Sequence, residues 1–287
     1  NRIDDTLIAM VGALSLFFIP VDRARKVYAL DWTIAEKIPW GILLLFGIQV
    51  LWVPINGVIT LPPSIGQLIT VLIVVVTINA VNFIDGLDGL AAGIVAISGA
   101  AFFAFAYLLA VIYGFSRAGA PSLITAVIIG VCIGFLPPNV HPARIFMGDS
   151  GSMFLGLLLA ASAITLTGQI DPNAIAAENL GPTLLPLMLP FAVLAIPLID
   201  LSSAIIRRIR AGQSPFTSDK EHLHHRIMRA GNSHLRTTLI LYLWTATIAF
   251  PVVVSAFAPL WVAAIVAGVA LFGTLSFSKS NKQRSAA

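Results

Sequence analysis

Asn79, Asn82, Asp85 and Asp88 recur at three-residue intervals within the stretch from Asn79 to Ala91, NAVNFIDGLDGLA. If that stretch is helical, neighbours in the series share a face. Two carboxylates and two amides on one face form a hard-oxygen site suited to Mg²⁺ bound together with a substrate phosphate. The bland alternative is a polar interhelical contact or a glycine-rich turn. It explains the pair of carboxylates poorly, because an ionised aspartate inserted in a membrane costs about 2.5–3.5 kcal/mol. The spacing is not that of an EF-hand loop. A second polar cluster comprises Pro137-Pro138-Asn139 and then Ala143 to Ser152, with Arg144 and Asp149 as its charged members. Asp149 directly precedes an apolar run, so it reads either as a plain helix N-cap or as a third metal carboxylate. Arg144 reads as a phosphate contact or as a topological anchor. A third cluster holds Asp200, Arg207, Arg208 and Arg210, and then Ser214 to Arg226 with His222, His224, His225 and Arg226. Cations and imidazoles in this density can hold a pyrophosphate and favour its charge. Basic residues also flank membrane spans for topological reasons. Zinc is disfavoured by the spacing and by the lack of a nearby cysteine. A nucleic-acid partner is disfavoured because no stacking aromatics are interleaved with the charges.

The elements that must position these clusters follow from composition. Hydrophobic residues make up 58% of the 287 and charged residues 10%, against about 25% charge in a soluble domain. Mean hydropathy is +0.94. Apolar runs long enough to cross a bilayer recur throughout. In lipid each must satisfy its own backbone, so they are helices. The expected fold is an all-α, polytopic transmembrane bundle with nine spans, at 6–20, 38–54, 65–84, 91–113, 121–138, 152–168, 182–206, 237–257 and 259–277. We read it as one integral membrane catalytic domain, 1–287, with a histidine and arginine loop at 207–236 and a short tail at 278–287. The chain begins with Asn1 and shows no signal peptide, so its natural N-terminus is expected to be missing. The lone Cys132 lies in an apolar run and cannot form an intrachain disulfide.

Lysine and arginine set the orientation. One set of loops carries Arg23, Arg25, Lys26, Lys37, Arg144, the arginines from Arg207 to Arg236, Lys220 and the tail residues Lys279, Lys282 and Arg284. The opposite loops contain only Arg117. The first set is therefore expected in the cytoplasm, and all three polar clusters belong to it. A cluster at that membrane surface suits a soluble substrate meeting a lipid one. A transporter would instead need ionisable groups near the midplane.

These motifs resemble the polyprenyl-phosphate N-acetylhexosamine-1-phosphate transferases, the superfamily of MraY, WecA and TagO. The likeness rests on NAVNFIDGLDGLAAG at 79–93, RIFMGDSGSMFLG at 144–156 and SPFTSDKEHLHHRIMRAG at 214–231. It extends over residues 29–277, and the histidine motif is similar to that of the WecA and TagO branch. The resemblance implies that Asn82, Asp85 and Asp88 match the family's Asn/Asp motif and that Asp149 matches its Mg²⁺-binding aspartate. It implies a place for Asn139 along the nucleotide pocket. His222, His224 and His225 match a motif that contacts the donor's phosphates, and Lys37 resembles a family lysine. Two N-terminal spans of the family are expected to be missing. The family's Asp-Asp pair has no clear match: Asp4-Asp5 falls outside by topology, and Asp22 fits the place better.

The expected reaction moves N-acetylhexosamine 1-phosphate, by default GlcNAc 1-phosphate, from a UDP-sugar to undecaprenyl or decaprenyl phosphate with release of UMP. Such a reaction would open the synthesis of a cell-envelope polysaccharide. Asp85, Asp88 and Asp22 are the candidate catalytic groups, and Asp149, Asp85 and Asp88 the candidate ligands of Mg²⁺, with Mn²⁺ an admissible replacement. Asn79, Asn82, Asn139, Arg144, His222, His224, His225, Arg226 and Lys37 are the candidate substrate contacts. A homodimer is open. One rival is a CDP-alcohol phosphotransferase, whose motif requires aspartates that do not follow Leu90-Ala91 here. The other is a membrane transporter.

Overall fold

A computed structural model of the chain describes residues 50–53, 57–60, 62–113, 119–168, 189, 191–212 and 222–279. The expected span 6–20, most of 38–54, and the residues Asp4, Asp5, Asp22, Lys37 and Ser214 to Glu221 lie outside the described residues. Two compact units are distinguished, Asn1–Ile73 and Val74–Ala287.

In the first unit, β1 (Val50–Val53) pairs antiparallel with β2 (Gly57–Thr60), Val50 opposite Thr60 and Val53 opposite Gly57. This differs from the expectation of a helix running to residue 54. Valine, tryptophan and threonine fit a pleated strand well, and Pro54 disfavours the helical conformation in the residue before it. Hydropathy alone registers the run but not its period.

The remaining described elements are helices: α1 (Pro63–Ile84), α2 (Leu90–Tyr113), α3 (Gly119–Asn139), α4 (Gly148–Gly168), α5 (Ala195–Arg210), α6 (Leu223–Arg229), α7 (His234–Phe257) and α8 (Leu260–Lys279). Six of them, α1, α2, α3, α4, α7 and α8, are long and apolar enough to cross a membrane, and the protein is a multi-pass membrane protein. Their limits fall close to the spans expected from hydropathy. The largest shift is at α4, which starts at Gly148 rather than residue 152 because Asp149 sits in its first turn, where a carboxylate suits the helix dipole. Of the expected span 182–206, residues 195–206 lie in α5, which runs on to Arg210 with Arg207, Arg208 and Arg210 in its last turn, again the favoured end for positive charge.

Within the second unit α2 packs on α3, α4 and α7, α4 on α3, and α7 on α5, α6 and α8. Small residues permit the closest approaches. A methyl group on Gly156 of α4 would lie 2.8 Å from the Cα of Ile78 on α1. The polar ends gather at one end of the bundle. The last turn of α3 contains Pro137 and Pro138, and the carbonyl left open by the helix end at Pro138 accepts from Arg144 N at 2.8 Å. That bond folds the connection to α4 back over the bundle, as an orphaned helix carbonyl requires a partner. Beneath it Ile84, Leu87, Leu90, Ala91, Ile94, Ile196 and Leu241 form a buried cluster against which Met147, Leu223, Ile227 and Tyr242 pack.

Candidate active site

The helix α1 stops at Ile84, so Asp85 to Gly89 is a turn rather than a helical continuation. The expected shared face of four residues therefore divides. Asn79, still on α1, bonds its own helix, Nδ2 donating to Val75 O at 2.7 Å. Asn82, one turn later, reaches α4: its Nδ2 donates to Asp149 Oδ1 at 3.1 Å and to Ser152 Oγ at 2.9 Å. Asp85 faces the same place. Burial pushes its carboxyl up to about 6, and the charge of Asp149 adds to the push. Two carboxylates thus lie near enough to repel one another where α1 ends and α4 begins, and the Asn82 amide is bonded to the second of them.

Asp88 points elsewhere. Its Oδ2 lies 2.8 Å from His141 Nδ1 and accepts from Ala143 N at 3.1 Å. These bonds, the histidine's first, hold its carboxyl below the usual range despite some desolvation. The His141 ring stacks on His234 at 4.6 Å between centroids. Among the described residues no group of three or more His, Cys, Asp or Glu side chains is arranged to hold a metal ion. The site offers Asp85 and Asp149 as a carboxylate pair, with Asp88 on a separate arm.

Asn139 is buried and spends both ends of its amide on the main chain. Its Oδ1 accepts from Gly89 N at 3.1 Å and its Nδ2 donates to Ile145 O at 2.8 Å. It braces the 85–89 turn against the connection to α4. Arg144 and Arg226 are both exposed.

The histidines arrive on α6. Asp200 of α5, 1% exposed, takes His222 Nδ1 at 3.1 Å on Oδ2 and accepts from Leu223 N at 2.7 Å on Oδ1. A buried carboxylate of this kind needs a partner, and the pair fixes both the ring of His222 and the start of α6. Phe83 lies 5.5 Å from the His222 ring and carries the Arg208 guanidinium at 5.9 Å. His224 is buried against the 85–89 turn: a methyl on Gly86 would stand 2.6 Å from its Cε1. Burial pushes its imidazole down to about 4, with His225 adding to the effect and Asp200 opposing it. Its Nε2 has no hydrogen-bond partner among the described residues. The His225 ring sits 4.2 Å from that of His224.

The arrangement brings Asn82, Asp85, Asp149 and Ser152 together, sets Asp88 beside His141, and lays the histidine helix over Phe83 and Gly86. Sequence reasoning assigned no role to Asp200, although a carboxylate inside an apolar run signals a buried partner. It passed over His141, which lies between two quoted segments. Tyr242 and His234 left no signal of their own, though Gly93 marks a close approach.

Comparison with known proteins follows the same lines. A sequence model of glycosyl transferase family 4 matches residues 7–167. Decaprenyl-phosphate N-acetylglucosaminephosphotransferase of Mycobacterium tuberculosis (strain ATCC 25618 / H37Rv) is 44% identical over 275 residues, covering 92% of this chain and 68% of the relative. The protein of the same name from Mycolicibacterium smegmatis (strain ATCC 700084 / mc(2)155) is 44% identical over 269 residues, covering 92% and 66%. Undecaprenyl-phosphate alpha-N-acetylglucosaminyl 1-phosphate transferase of Escherichia coli (strain K12) is 32% identical over 133 residues, covering 45% and 33%. The chain spans about two thirds of the length of the mycobacterial relatives. With the family match extending over more than half of its residues and that identity over nearly all of them, the chain belongs to glycosyl transferase family 4, among the polyprenyl-phosphate hexosamine-1-phosphate transferases.

Proposed function

We propose that this protein transfers N-acetylglucosamine 1-phosphate from UDP-N-acetylglucosamine to a polyprenyl phosphate, releasing UMP, at the cytoplasmic face of a bacterial plasma membrane. The observation that carries the chemistry is the neighbouring pair Asp85 and Asp149, whose charges repel, with the Asn82 amide bonded to Asp149. The names of the relatives support the acceptor and the transferred group, and the basic loops support the side.

An oxygen of the lipid phosphate attacks the sugar-side phosphorus. The bond from that phosphorus to the bridging oxygen breaks, and the oxygen leaves as part of UMP. Nucleophile and leaving group are both anionic, so catalysis lies in positioning and charge neutralisation. The donor set of Asp85, Asp149 and the Asn82 carbonyl suits Mg²⁺, which uses one or two carboxylates and completes its shell with water and substrate phosphates. Asp85 pushed up to about 6 beside a second carboxylate is a position that gains from a cation. When bound there, Mg²⁺ would supply charge neutralisation to the diphosphate. Asp88, oriented by His141 and Ala143 N, would accept a proton from the lipid phosphate or aim it. His222, aimed by Asp200, the partly buried His225 and the exposed Arg144 and Arg226 can meet the remaining phosphate charge.

The test uses purified protein with undecaprenyl or decaprenyl phosphate, Mg²⁺ and a panel of UDP-sugars, with UMP detected. UMP release with UDP-N-acetylglucosamine is expected, and Asp149→Asn is expected to lower it by at least about a hundredfold. Wild-type turnover in that variant would remove Asp149 from the mechanism. Sugar uptake by vesicles without UMP would overturn the reaction itself.

A further inference from the structure

Gly89 joins the aspartate turn to α2, and each of its main-chain polar groups is held. Its N–H donates to Asn139 Oδ1 at 3.1 Å. Its carbonyl accepts from Gly93 N at 3.0 Å and also from the hydroxyl of Tyr242. Its φ of +77° lies in the left-handed region that only glycine enters freely. Tyr242 comes from α7, 153 residues away in the chain. Its ring occupies the space left by the missing side chain of Gly93, where a methyl group would overlap the ring atoms. Gly89 and Gly93 are one helical turn apart, so the tyrosine lies along the first turn of α2 with its hydroxyl at the residue that follows Asp88. A second arm from α7 reaches the same aspartate, since His234 stacks on His141, which bonds the Asp88 carboxylate.

We propose that Tyr242 is a positioning residue: its hydroxyl ties the Asp85–Gly89 turn to α7 and thereby fixes the direction in which Asp88 is presented. Asn139 and Tyr242 hold the main chain on either side of Gly89, while His141 and Ala143 N hold the carboxylate. A tyrosine serving only to fill the Gly93 notch would need no hydroxyl and would be replaceable by phenylalanine. The inference rests on the reaction proposed above only where it gives Asp88 a part in the chemistry.

The decisive variant is Tyr242→Phe in the full chain, which keeps the ring in its notch and removes one hydrogen bond. A fall in kcat for UMP release of about tenfold to a hundredfold is expected, the size of effect a small misplacement produces, with KM for both substrates within about twofold. Amide hydrogen exchange over residues 85–93 is expected to quicken while α3 and α8 stay at wild-type rates. Gly93→Ala, which expels the ring, should reproduce both effects and add little to Tyr242→Phe. Wild-type kcat and wild-type exchange in Tyr242→Phe would overturn the proposal, as would a rise in KM with kcat unchanged. If the unmutated chain releases no UMP, the reaction reading fails by itself, and the exchange comparison still decides the role of Tyr242.

Discussion

His224 shows how one side chain can be tied to the catalytic turn by shape and to solution by pH. It is 2% exposed and rests on Gly86 with Nε2 lacking a partner among the described residues. An imidazolium there would be desolvated without compensation, which is why the group titrates near 4 rather than 6.5. Protons therefore bind the unfolded chain more readily than the folded one across that window. The stability contributed by neutral His224 is fully present above pH 6.5 and is lost as pH falls toward about 4. Thermal unfolding in detergent at a series of pH values should show this loss in the wild type. The loss should be smaller in His224→Gln, and parallel curves for the two proteins would contradict it. Gly86 owes its identity to the same contact, since a side chain there would have to displace the imidazole.

At the scale of the elements, hydropathy located the six crossing helices because each is a continuous apolar run whose ends are set by local residues. Asn82, Asp85 and Asp149 were legible for a related reason: polar groups at the end of such a run are costly and demand a purpose. The turn at Asp85 to Gly89 was half legible. Hydropathy ends one span at 84 and opens the next at 91, and a glycine-rich turn is one reading of the stretch. Its three-residue spacing also suits a helix, and the bonds from Asn139 and Tyr242 that hold the turn leave no local sign. The anchoring of His222 by Asp200 was likewise hidden, because the two are 22 residues apart and nothing local couples them. The resemblance sets Asn139 along the nucleotide pocket, and it does not foretell that both ends of the amide bond main chain. Packing between elements makes its own prediction at Gly156. A methyl there meets Ile78 Cα at 2.8 Å, whereas a methyl on Gly134 of α3 meets nothing within 4 Å. Gly156→Ala is expected to destabilise the bundle by about 1–3 kcal/mol through forced separation of α1 and α4. Gly134→Ala should change stability by no more than about 0.5 kcal/mol. Thermal midpoints of the two variants, measured side by side in the same detergent, check the contrast.

At the scale of the whole molecule, the ends of α1, α3, α5 and α8 and the starts of α2, α4 and α7 lie on one side, since residues from successive connections touch there: Asn82 with Asp149, Asp88 with His141, His141 with His234, and Arg236 with Phe277. The proposed reaction puts that side in the cytoplasm, which the excess of basic residues there supports. The only native cysteine, Cys132, is buried, so introduced cysteines can report sidedness. Arg144→Cys and Arg229→Cys should react with an impermeant maleimide only in inverted vesicles or after permeabilisation. Leu260→Cys, at the opposite end of α8, should react in intact cells. The reverse pattern would turn the molecule over and detach it from a cytoplasmic sugar nucleotide. Among these helices α8 stands apart. It packs chiefly on α7, through a Thr247 to Thr274 hydrogen bond and the Arg236 contact with Phe277, and it contributes none of the side chains gathered around Asp85. An engineer can therefore treat that helix as a mounting point: a fluorescent reporter attached at its exposed Leu260 end, away from the side that holds Asp85, would ride on a strut bolted chiefly to one neighbour, leaving the working parts undisturbed.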